Sequence, residues 1–186
     1  KSQKKEKNNN RILWGIFCMT DDVQIIDDFL YPNEFEKIEQ CLMRNESFPW
    51  SYISHGVSNG DGFEGKYFYM IHWFFNYYQI QSQYFDLLIP LLEKLKCMAL
   101  IRVKANLYPN QGSPIYTHGE HVDFSFKNKA AIFSVNTCDG GTIINNEKID
   151  SIKNRIIIFD GSNPHASTTC TDQQTRINIS FNYFTE

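Results

Sequence analysis

The sequence predicts a mainly β protein in which a helical N-terminal layer supports a C-terminal β-sandwich. Three observations point there. From Met98 onward, short strand-like segments follow one another closely, separated by turn signals at Pro109-Asn110-Gln111-Gly112, Asp139-Gly140-Gly141 and Asp160-Gly161-Ser162-Asn163-Pro164. Before Met98, two segments space their apolar residues for a helix instead. The chain has 186 residues, enough for one hydrophobic core and too few for two.

The elements follow in order. Residues 1–10 are Lys-rich and end in three Asn, so they read as a solvated, flexible tail ahead of a single domain over 11–186. Within that domain, 11–97 is the supporting part and 98–186 the β core. Arg11 to Met19 and Val23 to Leu30 are strand-like. Pro32-Asn33-Glu34 opens a helix, with Pro in the first turn, and Phe35, Ile38, Leu42 and Met43 carry its apolar stripe to about Arg44. A second helix is expected over Ser82 to Cys97, where Pro90 must kink it or delay its start. Between the helices, Tyr67 to Tyr78 has strand composition. Ahead of it, residues 56–65 contain four Gly and form a flexible loop, a connector or a lid. The β core is expected at 99–108, 115–124, 130–137, 141–145, 155–160, 165–170 and 175–184, and Asn145–Ile152 reads as a trimmed loop.

Composition narrows the function classes. The net charge is −3, which argues against a nucleic-acid binder that relies on phosphate contacts. No apolar run is long enough for a transmembrane helix, and the N-terminus has no apolar signal-peptide region. The five Cys are odd in number, widely spaced and without CxxC, as expected of reduced thiols in a cytoplasmic protein.

Chemistry is concentrated in two segments. In His118-Gly119-Glu120-His121-Val122-Asp123, His121 and Asp123 are two apart, so on a strand both point to one face and can grip one ion. His165 follows several strands later, and a rolled sandwich can bring it opposite that pair. Two His and one carboxylate on one side of an ion make the facial triad of non-haem Fe(II) oxygenases. His118 and Glu120 form a competing pair on the opposite strand face. The second segment runs from Asn154 through Asn163-Pro164-His165 to Arg176, eleven residues beyond His165. From there Arg176, Asn178, Ser180 and Asn182 alternate with Ile177, Ile179, Phe181 and Tyr183, the pattern of a strand with one polar face lining a pocket. An Arg on such a face can hold a carboxylate through two parallel hydrogen bonds.

Taken in order, the HxD pair, Gly140-Gly141, Asn154-Arg155 with its aliphatic run to Phe159, Asn163-Pro164-His165, and Arg176 resemble the 2-oxoglutarate- and Fe(II)-dependent dioxygenases. Within them the chain looks most like the prolyl 4-hydroxylase branch, and in particular the small stand-alone copies of bacteriophages and bacteria. The resemblance extends over residues 98–184, with Ser47-Phe48-Pro49-Trp50 added upstream. It implies a double-stranded β-helix (a cupin-like jelly roll), Fe(II) held by His121, Asp123 and His165, and Arg176 on the distal carboxylate of 2-oxoglutarate. Tyr108 and Asn178 would assist the cosubstrate, and Trp73 and Tyr67 would lie near the substrate. The implied reaction consumes O2, hydroxylates a C–H bond and releases succinate and CO2, with ascorbate as a supporting reductant. A peptidyl proline is the first expected substrate; another protein side chain or a small molecule would use the same core. The partner would then be a protein or peptide, and the location the cytoplasm, a host's if the gene is viral. A β-sandwich that binds a metal or ligand without catalysis is the alternative of a different class.

Overall fold

The computed structural model describes residues 16–20, 23–54 and 67–186. The expected tail at 1–10, the beginning of the strand expected from Arg11, and the glycine-rich loop 56–65 lie outside the described residues. The supporting part contains β1 (Ile16–Thr20), β2 (Val23–Ile26), α1 (Pro32–Glu39), β3 (Ser51–Ile53), β4 (Tyr69–Asn76), β5 (Gln79–Ile80) and α2 (Ile89–Lys94). Then come β6 (Ala99–Pro109), β7 (Lys129–Ser134), β8 (Cys138–Ile144), β9 (Glu147–Ser151), β10 (Ile156–Asp160), β11 (His165–Ser167) and β12 (Thr175–Phe184).

Among the described residues, a nine-stranded sheet runs β1-β2-β10-β7-β12-β6-β4-β3, with β5 paired to β4, and β11-β8-β9 form a second sheet. The sheets face each other across an apolar layer that includes Val23, Ile25, Ile132, Ile144, Ile149 and Phe159. This is a jelly roll. The early strands join the same large sheet as the β core, so the N-terminal half is more than a helical support.

The helices cover the outer face of the large sheet. Phe35, Ile38 and Leu42 from the first helical segment, with Leu88, Leu91 and Leu95 from the second, pack on Val103, Ala105, Phe133, Ile179 and Phe181. Phe35 meets Phe133 edge-on at 6.1 Å. Burying each such large side chain contributes roughly 1.5–3 kcal/mol. Pro32 sits in the first turn of α1, and the Tyr31 N–H donates to Glu34 Oε2 at 3.1 Å, satisfying one exposed helix-end donor. A short π-helical turn over Gln40–Arg44 extends α1 to the expected end. The second helix is shorter than expected. Only a 3-10 turn, Phe85–Leu88, precedes it, and Pro90 stands in its first turn, where the missing N–H has no helical partner to lose.

The alternation read from the sequence holds on β12. Ile177, Ile179, Phe181 and Tyr183 join the helix-covered core, which turns Arg176, Asn178, Ser180 and Asn182 inward between the sheets. Their partners on β6 are Tyr108, Asn106, Lys104 and Arg102 in that order, so two polar faces lie in register.

Two expectations need correction. Residues 115–124 form no regular strand; Thr117 and His121 make only isolated bridges, to Thr168 and His165. A period-two strand cannot bury His118 and also present His121 and Asp123 inward, and this segment does both. Residues 147–151, expected as loop, form β9 in a hairpin with β8, which itself starts at Cys138 and not at Gly141. Asn145 and Asn146, with φ of 53° and 64°, supply the left-handed pair that such a tight turn requires.

One long-range tie fixes the entry to α1. Asn154, with φ of 62°, accepts from the Leu30 N–H at 2.9 Å and donates to the Leu30 carbonyl at 3.0 Å. Among the described residues, no helix is long and apolar enough to cross a membrane.

Candidate active site

The bridge between His121 and His165 sets the site. Their backbones exchange two hydrogen bonds of 3.0 Å, which puts the two imidazoles side by side with ring centres 4.7 Å apart. Asp123 closes the cluster: its two oxygens lie 3.7 Å from His121 Nε2 and 3.9 Å from His165 Nε2. All three donor atoms fall within 4.8 Å of one another. Each imidazole has its other nitrogen against a carbonyl, His121 Nδ1 at 3.2 Å from Gly119 O and His165 Nδ1 at 3.1 Å from Asn163 O. A carbonyl can only accept, so those contacts place the proton on Nδ1 and leave the Nε2 lone pairs facing Asp123. Burial, then the neighbouring His165, lowers the His121 pKa and favours the neutral, ligating form. Two imidazoles and one carboxylate are the donor set that suits Fe(II) while leaving coordination positions open.

The carboxylate is held from behind. Burial would raise the Asp123 pKa, but the Arg102 guanidinium, 2.5 Å from Oδ1, outweighs it and the pKa falls to about 2. Asn182, fully buried, donates to Asp123 Oδ2 at 3.1 Å. The same Asn182 accepts from Arg102 Nε at 3.2 Å and Nη2 at 2.9 Å, so one amide orients both members of the ion pair.

Arg176 lies farther along the same inner face of β12. It is 1% exposed. Its Nη1 donates to the Thr168 carbonyl at 3.2 Å and its Nη2 to Thr142 Oγ1 at 2.9 Å. The guanidinium carbon lies 5.4 Å from the centre of the Tyr108 ring. Arg176 Nε has no hydrogen-bond partner, and no acidic side chain pairs with the guanidinium among the described residues. A buried cation without a counter-charge is costly, and this arrangement calls for an anion. Gly140 makes room for the Arg176 side chain: a Cβ there would stand 2.9 Å from Arg176 Cδ and collide with the Thr169 carbonyl.

The cavity beside the His-Asp-His cluster is walled by Tyr108, Asn106, Asn178, Thr142 and Lys104. Tyr108 is buried, which pushes its phenol pKa up, so it stays a neutral donor. Asn178 accepts from Asn106 Nδ2 at 2.8 Å, while Asn106 Oδ1 has no hydrogen-bond partner. Trp73, half-buried on β4, pairs with Lys104 in the sheet register. Tyr67 stacks on Tyr116 with ring centres 3.9 Å apart. The competing pair separates: His118 is buried against the rings of Tyr108 and Tyr116, and Glu120 is exposed. Sequence reasoning missed Arg102, Lys104, Asn106 and Thr142, and put Asn182 on a pocket-lining face without a role. For the three on β6 a signal existed, since Arg102, Lys104, Asn106 and Tyr108 alternate with Val103, Ala105 and Leu107 as β12 does. The remaining described histidine, His72, is structural; its ring contacts Pro49 O at 2.8 Å and Ser82 Oγ at 2.7 Å.

The sheets are arranged as in solved 2-oxoglutarate/Fe(II) oxygenases. The chain is similar to a prolyl hydroxylase from Trichoplax adhaerens, solved with a fragment of the hypoxia inducible factor oxygen degradation domain (TM-score 0.64, 19% identity, 89% of this chain and 84% of that one). It is similar as well to an oxidoreductase of the 2OG-Fe(II) oxygenase family from Burkholderia pseudomallei (TM-score 0.65, 12% identity, 88% and 85%). A third similar structure is a prolyl-4-hydroxylase from Pseudomonas putida (TM-score 0.58, 11% identity, 89% and 93%). At these identities the likeness is one of fold. No protein-family model and no curated protein matches the sequence.

Proposed function

We propose that the chain is a 2-oxoglutarate- and Fe(II)-dependent dioxygenase that hydroxylates a C–H bond, releasing succinate and CO2. One observation carries this reading: the inward face of β12 has at one end a buried arginine without a counter-charge among the described residues, and at the other Asn182, which holds Asp123 of a His-Asp-His cluster with its Nε2 atoms free to ligate. A simple metal-binding module has no need of the arginine.

In this reading His121, Asp123 and His165 hold Fe(II), which when bound supplies the redox chemistry with O2 and 2-oxoglutarate. Arg176 receives the far carboxylate of 2-oxoglutarate, steadied by Thr142 and Thr168 and flanked by Tyr108. The phenol of Tyr108 and the amide of Asn178 offer hydrogen bonds along the cosubstrate. Arg102 and Asn182 keep the Asp123 carboxylate ionised and correctly turned. The ring of Phe159, 5.1 Å from that of His165, helps exclude water beside the site.

A prolyl residue in a peptide is the substrate class we propose; support comes from two similar structures that are prolyl hydroxylases, one of them solved with a peptide fragment. In this reading Trp73, whose ring centre lies 5.5 Å from Lys104 Nζ, would meet such a substrate. The test is conversion of 2-oxoglutarate to succinate with Fe(II) and ascorbate, with and without proline-rich peptides. Conversion lost in Asp123→Ala and in Arg176→Ala, and stimulated by a peptide that gains one oxygen atom, is the expected result. Conversion that survives both substitutions would refute the assignment of the site.

A further inference from the structure

The inward faces of β6 and β12 carry more positive charge than the proposed cosubstrate can use. Arg102 is neutralised by Asp123 and held through Nε and Nη2 by Asn182. Arg176 is matched to the far carboxylate of 2-oxoglutarate. Lys104 remains. It projects from β6 into the same cavity, one inner-face position from Arg102, and is half-buried. Its carbonyl accepts from Ser180 Oγ at 3.1 Å, but among the described residues its ammonium makes neither an ion pair nor a hydrogen bond. Its Nζ sits instead beside two rings, 5.5 Å from the centre of Trp73 and 5.9 Å from that of Tyr69.

An ammonium desolvated in this way is costly unless something anionic meets it. Burial, then Arg102, lowers its pKa to about 8, so it is still predominantly charged at neutral pH. One ammonium matches a monoanion. A phosphate would call for a second uncommitted cation, and the neighbouring Arg102 is already taken.

We infer that Lys104 is a substrate-specificity residue and that the substrate presents a carboxylate to it, its apolar part lying against Trp73 and Tyr69. This rests on the oxygenase reading, which assigns the other end of the cavity to 2-oxoglutarate. The carboxylate can be that of a free amino acid or that of an acidic residue beside a target proline.

The experiment is direct binding by calorimetry to anaerobic protein loaded with Fe(II) and saturated with 2-oxoglutarate. One arm compares the free amino acids, proline included, with their amides. The other compares proline peptides carrying Glu or Gln next to the proline. The proposal expects at least one acid to bind about tenfold or more tightly than its uncharged counterpart. It expects this preference to collapse in Lys104→Met while 2-oxoglutarate still binds. Which arm shows the preference identifies the source. No preference in either arm, or a preference unchanged in Lys104→Met, overturns the proposal. So does a loss of 2-oxoglutarate affinity in Lys104→Met, which would assign the lysine to the cosubstrate. Failure of the wild-type protein to bind 2-oxoglutarate at the loading step would refute the oxygenase reading instead.

Discussion

Replacing Arg176 by Met separates binding from stability, because the two respond to different features of the same side chain. The guanidinium has five N–H donors and spends two of them on Thr142 and Thr168. The rest are available to a carboxylate. Two charge-assisted hydrogen bonds at about 1.5–3 kcal/mol each give about 3–6 kcal/mol, or roughly two to four orders of magnitude in affinity. Folding should register far less. The substitution forfeits two hydrogen bonds to neutral partners, about 1 kcal/mol each, but removes a buried cation that no acid among the described residues balances. An apolar side chain of similar length then leaves stability within about 2 kcal/mol of wild type. Chemical denaturation gives the stability, and calorimetry with anaerobic Fe(II) protein gives the 2-oxoglutarate affinity. If Arg176→Met lost more than about 4 kcal/mol of stability, or bound 2-oxoglutarate as wild type does, the reasoning would be wrong.

Other predictions concern the supports of the site and the fold. Asn182→Ala removes the amide that orients Asp123 and Arg102, and should weaken Fe(II) binding by about 10–100-fold, measured by competition with a chelating dye, with the circular dichroism spectrum kept. Asn154→Ala deletes both bonds to Leu30 and leaves a non-glycine residue at a φ of 62° that Asn tolerates better; unfolding in urea should show a loss of about 2–4 kcal/mol. The hydrogen bonds and charge of Arg155 hold the Asp27 pKa below its usual value. A depressed carboxylate pKa gives stability that is present above the unfolded value near 3.8 and is lost as pH falls through the folded value. Asp27 is half exposed, so the gain is under about 1 kcal/mol; in denaturation midpoints it should separate wild type from Asp27→Asn near about pH 6 and shrink progressively as pH falls below 3.8.

Much of the site was legible because short periodicities carry it. The polar-apolar alternation from Arg176 to Tyr183 identified a strand with one face in a core and the other on a cavity, and both faces stand there. His121, Asp123 and His165 were legible as residue types with a spacing. The choice between His118-Glu120 and His121-Asp123 was less so, since it turns on an irregular segment in which strand parity fails between His118 and His121. β9 was missed because its turn, Asn145-Asn146, lacks the glycine that usually announces a hairpin. The roles of Arg102 and Asn182 depend on a register between strands about 80 residues apart, which no local pattern encodes. The delayed second helix, by contrast, followed from Pro90 alone.

The most direct test of the central claim is the absorption spectrum of the protein under anaerobic conditions with Fe(II) and 2-oxoglutarate. The account predicts a visible band that requires both additions, disappears in Asp123→Ala, and needs far more 2-oxoglutarate to form in Arg176→Met. Tight Fe(II) binding with no band at any 2-oxoglutarate concentration would contradict it, and would make the cluster a metal site of another kind.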